Sequence, residues 1–145
     1  MPAGTDAPVN TQVAGTQGSS RVVPLPSGGY AIVWADSGTH EVRARTYSST
    51  GDPVGAEVLI DANLGYDYLN SVVPLPSGGF MVTWQQTVYL TNTSWAQLFD
   101  SDGNPTGSPF NIAALGSTAA LAGGGFVVTY AEYVWADGNI LDVKA

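Results

Sequence analysis

The stretch VVPLPSGGYAIVW at residues 22–34 returns as VVPLPSGGFMVTW at 72–84, and a diverged third copy, TAALAGGGFVVTY, occupies 118–130. Self-similarity at a fixed spacing constrains a fold more than any local pattern, because each copy must be one supersecondary unit. Marked by Leu25, Leu75 and Leu121, the copies lie 50 and 46 residues apart. The 145 residues hold three periods, and the tail of the third is expected from the residues before Leu25.

Each period reads as four short strands. The first strand is RVVPL (21–25) or SVVPL (71–75), closed by a PSGG turn whose glycines are free to take φ > 0. The second is YAIVWA (30–35), FMVTWQ (80–85) or FVVTYA (126–131), apolar on both sides as in a strand buried between layers. The third is EVRARTY (41–47), SWAQLFD (94–100) or NILDVKA (139–145), and the fourth is AEVLID (56–61) or PFNIAA (109–114). APVNTQV (7–13) has the composition of the fourth strand that the third unit lacks. Pro24 and Pro74 suit an edge strand, because proline donates no ladder hydrogen bond. No segment carries helical periodicity with caps at both ends.

The expectation is therefore an all-β, β-propeller-like fold with three four-stranded blades per chain. Residues 1–145 form one repeat domain: a closing strand and linker (1–20) and repeats at 21–70, 71–117 and 118–145. Propellers have 4–8 blades, so three need a partner. A second chain, donating its N-terminal strand, would complete a six-bladed homodimeric ring whose heterologous interfaces close after two copies. A single-chain β-trefoil or β-prism is the alternative, since both are pseudo-threefold without a partner.

Composition narrows the function classes. Charged residues make up only 11% of the chain, against 44% hydrophobic, with 18 Gly and 9 Pro, which is a turn-rich β composition. The net charge is −8 and the cations are Arg21, Arg43, Arg45 and Lys144, too few and too scattered to displace counterions from nucleic acid. An anionic membrane surface repels such a chain, and no run of about 18 apolar residues predicts insertion. The chain has no cysteine, so no disulfide, Cys-based metal site or thiol nucleophile is expected. MPAGTDAPVNTQ has neither a basic start nor an apolar run, so no signal peptide is read there.

LPSGGYAIVW, LPSGGFMVTW and LAGGGFVVTY resemble the L-x-D-G-G-F-V-V-T-W signature of repeats in large secreted bacterial adhesin-like and hemolysin-type calcium-binding proteins. SWAQLFDSDGNPTGSPFNI (94–112) resembles the A-Q-R-F-D-x-D-G segment that follows it, and VNTQVAGTQGSS (9–20) the linker between units. The resemblance implies β-propeller-like repeats and an extracellular or cell-surface bacterial setting. Where that signature has an acidic residue before Gly-Gly, this chain has Ser27, Ser77 and Gly123.

Tyr30, Phe80 and Phe126 share one repeat position and Trp34, Trp84 and Tyr130 another, so all six are expected in the packing between blades. Tyr66, Tyr68, Tyr89, Tyr133 and Trp135 fall out of register, in the connections after strand four and between strands two and three. In a propeller both connections emerge at one end. With Asp36 and Asp137 they form a candidate ligand-binding face, with rings to pack on sugar C–H surface and carboxylates to bind hydroxyls. The same residues suit a protein partner or mere cover for loop bases.

No cofactor is expected. Asp100, Asp102 and Asn104 resemble the opening of an EF-hand loop and leave calcium possible, but the distal Glu is replaced by Asn111 and Asp-Gly-Asn is strong hairpin chemistry. His40 is the only histidine, and without a second His or a Cys it builds neither a zinc site nor a triad. Asp36, Glu41, Asp61 and Asp67 are the carboxylates nearest a glycosidase pair, with nothing in their spacing to set one. The expectation is no enzyme. It is a lectin-like carbohydrate-binding module, or alternatively a structural spacer repeat of an adhesin-like protein with no ligand of its own.

Overall fold

The computed structural model describes residues 7–13, 15–61, 66–134 and 140–144. Among them it is all β, without a helix. The first unit is one antiparallel sheet of β1 (Gln17–Pro24), β2 (Tyr30–Asp36), β3 (Glu41–Tyr47) and β4 (Val58–Asp61). The second repeats it with β5 (Tyr66–Pro74), β6 (Phe80–Val88), β7 (Thr91–Phe99) and β8 (Pro105–Ile112). In both, strand order follows the chain. The third unit forms two short ladders, β9 (Thr118–Ala120) with β10 (Phe126–Val128), and β11 (Tyr130–Val134) with β12 (Ile140–Lys144). The single strand expected over 126–131 is thus interrupted at Thr129, whose amide donates to Ser117 O at 2.9 Å.

The repeated L-x-x-G-G is one hairpin written three times. Leu25, Leu75 and Leu121 each donate to the carbonyl four residues on and accept from the amide three residues on. That is a type I turn with a glycine bulge, and the bulge residues Gly28, Gly78 and Gly124 have φ of 88°, 107° and 91°. The glycine that follows has a different role. A Cβ on Gly29 would overlap the Tyr47 carbonyl, and one on Gly79 the Phe99 carbonyl, so the bare backbone lets the turn sit against the end of the third strand. Pro24 and Pro74 lie on β1 and β5, which are edge strands as expected.

The first strands are longer than the sequence suggested. β1 and β5 continue outward past a bulge, between Gly18 and Arg21 and between Leu69 and Ser71, which breaks the alternation of apolar residues. β8 begins four residues before the expected start at 109 and runs across Gly107. Gln97 makes this possible. Its buried side-chain amide donates to the Leu98, Thr106 and Gly107 carbonyls where the β7–β8 register slips. Residues 7–13 form no strand within the chain; Glu57 and Arg45 hold them instead.

The first sheet has a face of small side chains and a face of large ones. On β2 these are Ala31, Val33 and Ala35 against Tyr30, Ile32 and Trp34; on β6 the large face is Phe80, Val82 and Trp84. The small face of the first sheet packs on the large face of the second. Val23, Ala31, Val33, Ala35, Val42 and Ala44 share one core with Leu69, Phe80, Val82, Trp84 and Phe99. Tyr30 stacks on Tyr47 and Phe80 on Phe99, with centroids 5.0 and 4.8 Å apart. Trp95, the counterpart of Arg43, packs against the same core. The other face of the second sheet, with buried Met81 and Thr83, turns to the third unit. Asn70 donates to Gly116 O across that boundary, and Phe110 meets Phe126 with centroids 5.8 Å apart. Tyr130, like Phe126, is half-buried.

Replacing Gly79 by Ala forces backbone apart and should cost about 1–3 kcal/mol in urea denaturation. Gly123→Ala, where an added Cβ meets nothing within 4 Å, should stay within about 0.5 kcal/mol of the parent.

Candidate functional site

The connections that sequence reasoning placed at one end do share it. β2–β3 turns at residues 37–40, β6–β7 turns at 89–90, and β5 begins beside that second turn, with Tyr66 opposite Thr87 and Tyr68 opposite Gln85. Tyr66 and Tyr68 thus lie on a strand and not in a connection, because β5 runs past its bulge. Tyr133 likewise lies on β11, while Trp135 and Asp137 fall outside the described residues.

Tyr89 and Leu90 form the most exposed feature of this end. They are the whole β6–β7 connection, closing Val88 against Thr91, at φ of 47° and 68°. A two-residue hairpin with both central φ positive is a type I′ turn, the conformation that Asn-Gly adopts without strain. Here two bulky residues occupy it, 97% and 99% exposed. Left-handed backbone costs a non-glycine residue about 1–2 kcal/mol, and no burial of these side chains offsets it. Thr87 Oγ1 donates to Asn92 Oδ1 at 2.8 Å and braces the hairpin one pair below. Tyr68, 60% exposed, stands on β5 at the same end.

Of the carboxylates expected beside these rings, Asp36 is engaged in the fold. Asp36 is buried, and its Oδ1 accepts from the Gly38 and Thr39 amides at 2.8 and 3.2 Å. Burial pushes its carboxyl up, but those amides and Gln17 outweigh it and hold it below the ordinary range. It anchors the 37–40 turn. Asp100 does the same at the β7–β8 hairpin. Its Oδ1 accepts from the Asp102 and Asn104 amides at 3.0 and 2.8 Å and its Oδ2 from Asn104 Nδ2 at 3.1 Å. Burial is again outweighed by Asn104 and the turn amides, so its carboxyl is held down. Asp102 contributes its main-chain carbonyl, which accepts from Thr46 Oγ1 at 2.7 Å and ties this turn to the first sheet. The Asp100–Asp102–Asn104 motif therefore serves as a hairpin. No cluster of three His, Asp or Glu side chains able to hold a metal exists among the described residues.

The carboxylate pair that sequence reasoning left without a role sits at the junction of the two sheets. Asp61, ending β4, accepts from Trp84 Nε1 at 2.8 Å and Gln86 Nε2 at 3.2 Å. Asp67 pairs with Gln86 on β5, and neither of its buried oxygens has a hydrogen-bond partner among the described residues. Burial, followed by the neighbouring Asp61 charge, pushes the Asp67 carboxyl up to about 7. Sequence spacing could not reveal this pair, because the β5 extension creates it.

The open face of the first sheet carries a groove of about 530 Å³ between residues 7–10 and the Gln17–Val22, Ile32 and Trp34 surface. Val9 O accepts from Arg45 Nη1 at 3.1 Å, while the Thr11 amide and hydroxyl both donate to Glu57 Oε2 at 2.8 Å. Glu57 Oε1 pairs with Arg43 at 2.8 Å, and Arg43 pairs also with Glu41 at 2.8 Å. Asn10 donates to Gln17 beside them.

No protein-family model, curated protein or solved structure matches this chain.

An acid raised from 3.8 to about 7 in the folded state favours folding below pH 4, and that contribution is lost as pH rises toward 7. Asp67→Asn should therefore raise Tm relative to the parent at pH 7–8 and give no gain at pH 4. Parallel melting curves at the two pH values check the difference.

Proposed function

We propose that the chain is a non-catalytic recognition module of β-propeller blades that binds carbohydrate through the end bearing Tyr89, Leu90 and Tyr68. The observation that carries this reading is the Tyr89–Leu90 turn. Backbone strain held at a fully exposed aromatic tip, where Asn-Gly would relieve it, points to selection for the side chains over stability. A sugar ring packs its C–H surface on an aromatic face, and exposed hydroxyl and amide groups at the same end, Thr87 and Asn92, are suited to its hydroxyls. Repetition of such a tip around a ring would add avidity to weak single contacts. The strand order, the hairpins repeated three times and the small-on-large stacking of successive sheets all suit blades. The reading takes an extracellular or cell-surface setting from the resemblance of the repeats, and it needs neither metal nor cofactor.

The engagement of Asp36 and Asp100 in their own turns favours a second reading, a structural spacer repeat with no ligand.

A Tyr89→Asn, Leu90→Gly double variant separates the two. Stability should rise by about 1–2 kcal/mol as the strain is released. On a glycan array the parent should bind and the variant should lose most of its signal. A parent with no glycan signal and no ligand-induced melting shift overturns the carbohydrate reading in favour of the spacer.

A further inference from the structure

Equivalent positions of the first two units have different neighbours, although Trp34, 4% exposed, is buried as Trp84 is. Val72, Val82 and Trp84, on the large face of the second sheet, are packed against the first sheet. Their counterparts Val22, Ile32 and Trp34 face no sheet among the described residues: they line the groove instead, and Val22 is 68% exposed. Among the described residues, 7–10 line the other side of this groove. They lie against Trp34 as Asp61, at the end of β4, lies against Trp84, although they form no ladder.

The candidate complement lies at the matching repeat positions of the third unit, split between the β9–β10 and β11–β12 ladders. The small face that covers the second sheet is made by Val23, Ala31, Val33 and Ala35. At the same repeat positions the third unit has Ala119, Val127, Thr129 and Ala131, of which Ala119 and Ala131 are exposed and Val127 and Thr129 half-buried.

We infer that the open face of the first sheet is an interface for the third unit of a second copy of this chain. The Ala119–Val127–Thr129–Ala131 surface of one copy covers Val22, Ile32 and Trp34 of the other. The inference rests on the blade reading and supplies its partner. The contact is heterologous, each copy offering a different surface, and two such contacts close a six-unit ring. Residues 7–11 then lie where they can run beside the other copy's β12, as β4 runs beside β3.

The test uses light scattering after size exclusion on the full chain, with Val22→Arg and Ala131→Arg as the variants. Both sites are exposed, so each variant should retain the parent's circular dichroism and melt. The parent should run at twice the 15.0 kDa chain mass, and each variant alone at the single mass. An equimolar mixture of the two variants should regain the doubled mass. One contact then gathers both defects and the other is wholly native, a rescue that misfolding cannot produce. A parent at the single mass up to about 0.5 mM overturns the inference, as does a mixture that stays monomeric. A doubled mass that both variants retain also overturns it while leaving the blade reading intact, because assembly then uses another surface. If the doubled particles show no six-unit ring in electron-microscopy class averages, the blade reading itself fails.

Discussion

The structure depends on one packing relation: a sheet face of small side chains closing on a sheet face of large ones. Ala31, Val33 and Ala35 leave room for Phe80, Val82 and Trp84, and the shared core forms where the two surfaces meet. Were both faces large, the sheets would be held apart; were both small, they would enclose voids. Because its two faces differ, the first sheet has a direction, and the second can stack on it only in one sense. Trp84 fixes the registration, since its indole N–H must reach Asp61 at the end of the preceding sheet. A buried indole donor with a single acceptor tolerates little sliding.

Much of this was legible in the sequence. The copies at 22–34 and 72–84 announce equivalent hairpins, and the structure draws them with the same hydrogen bonds. The repeated aromatics Phe80 and Trp84 announce a core, and they form it. What was not legible lies where a local signal and a ladder compete. Ser19 and Asn70 interrupt the alternation by bulging, so β1 and β5 seemed shorter than they are, and Tyr66 and Tyr68 seemed to be in loops. The early start of β8 was not legible either, because the Gln97 amide satisfies the carbonyls that a slipped register leaves open. The type I′ turn at Tyr89–Leu90 was hidden for the opposite reason: its residues are the wrong ones for its conformation.

The acidic residues divide by the same logic. Motif reasoning weighs an Asp by its neighbours in sequence, and Asp36 and Asp100 then look like ligand-binding groups. In the fold, backbone amides two to four residues away satisfy them, which is the ordinary work of Asp in a turn. Asp67 has no motif at all, yet it carries the most perturbed carboxyl, because long-range pairing of β5 with β6 brings it beside Asp61. Environment, set by strands distant in sequence, decides which acid is unusual.

The contact inferred for the open face of the first sheet has a consequence for how many copies it would join. A surface that receives the next unit in a series cannot count units; it would accept any copy that presents the matching side. Number is therefore set by the rotation between neighbouring sheets, a property of sheet twist and side-chain size and not of the contact itself. Six equal steps of about 60° return a head-to-tail series to its start, while a step a few degrees off, or with a small rise along the axis, turns the same contact into an open helix. Substitutions on the small face, at Ala31, Val33 or Ala35, thus bear on a quantity remote from local stability: whether the assembly is finite.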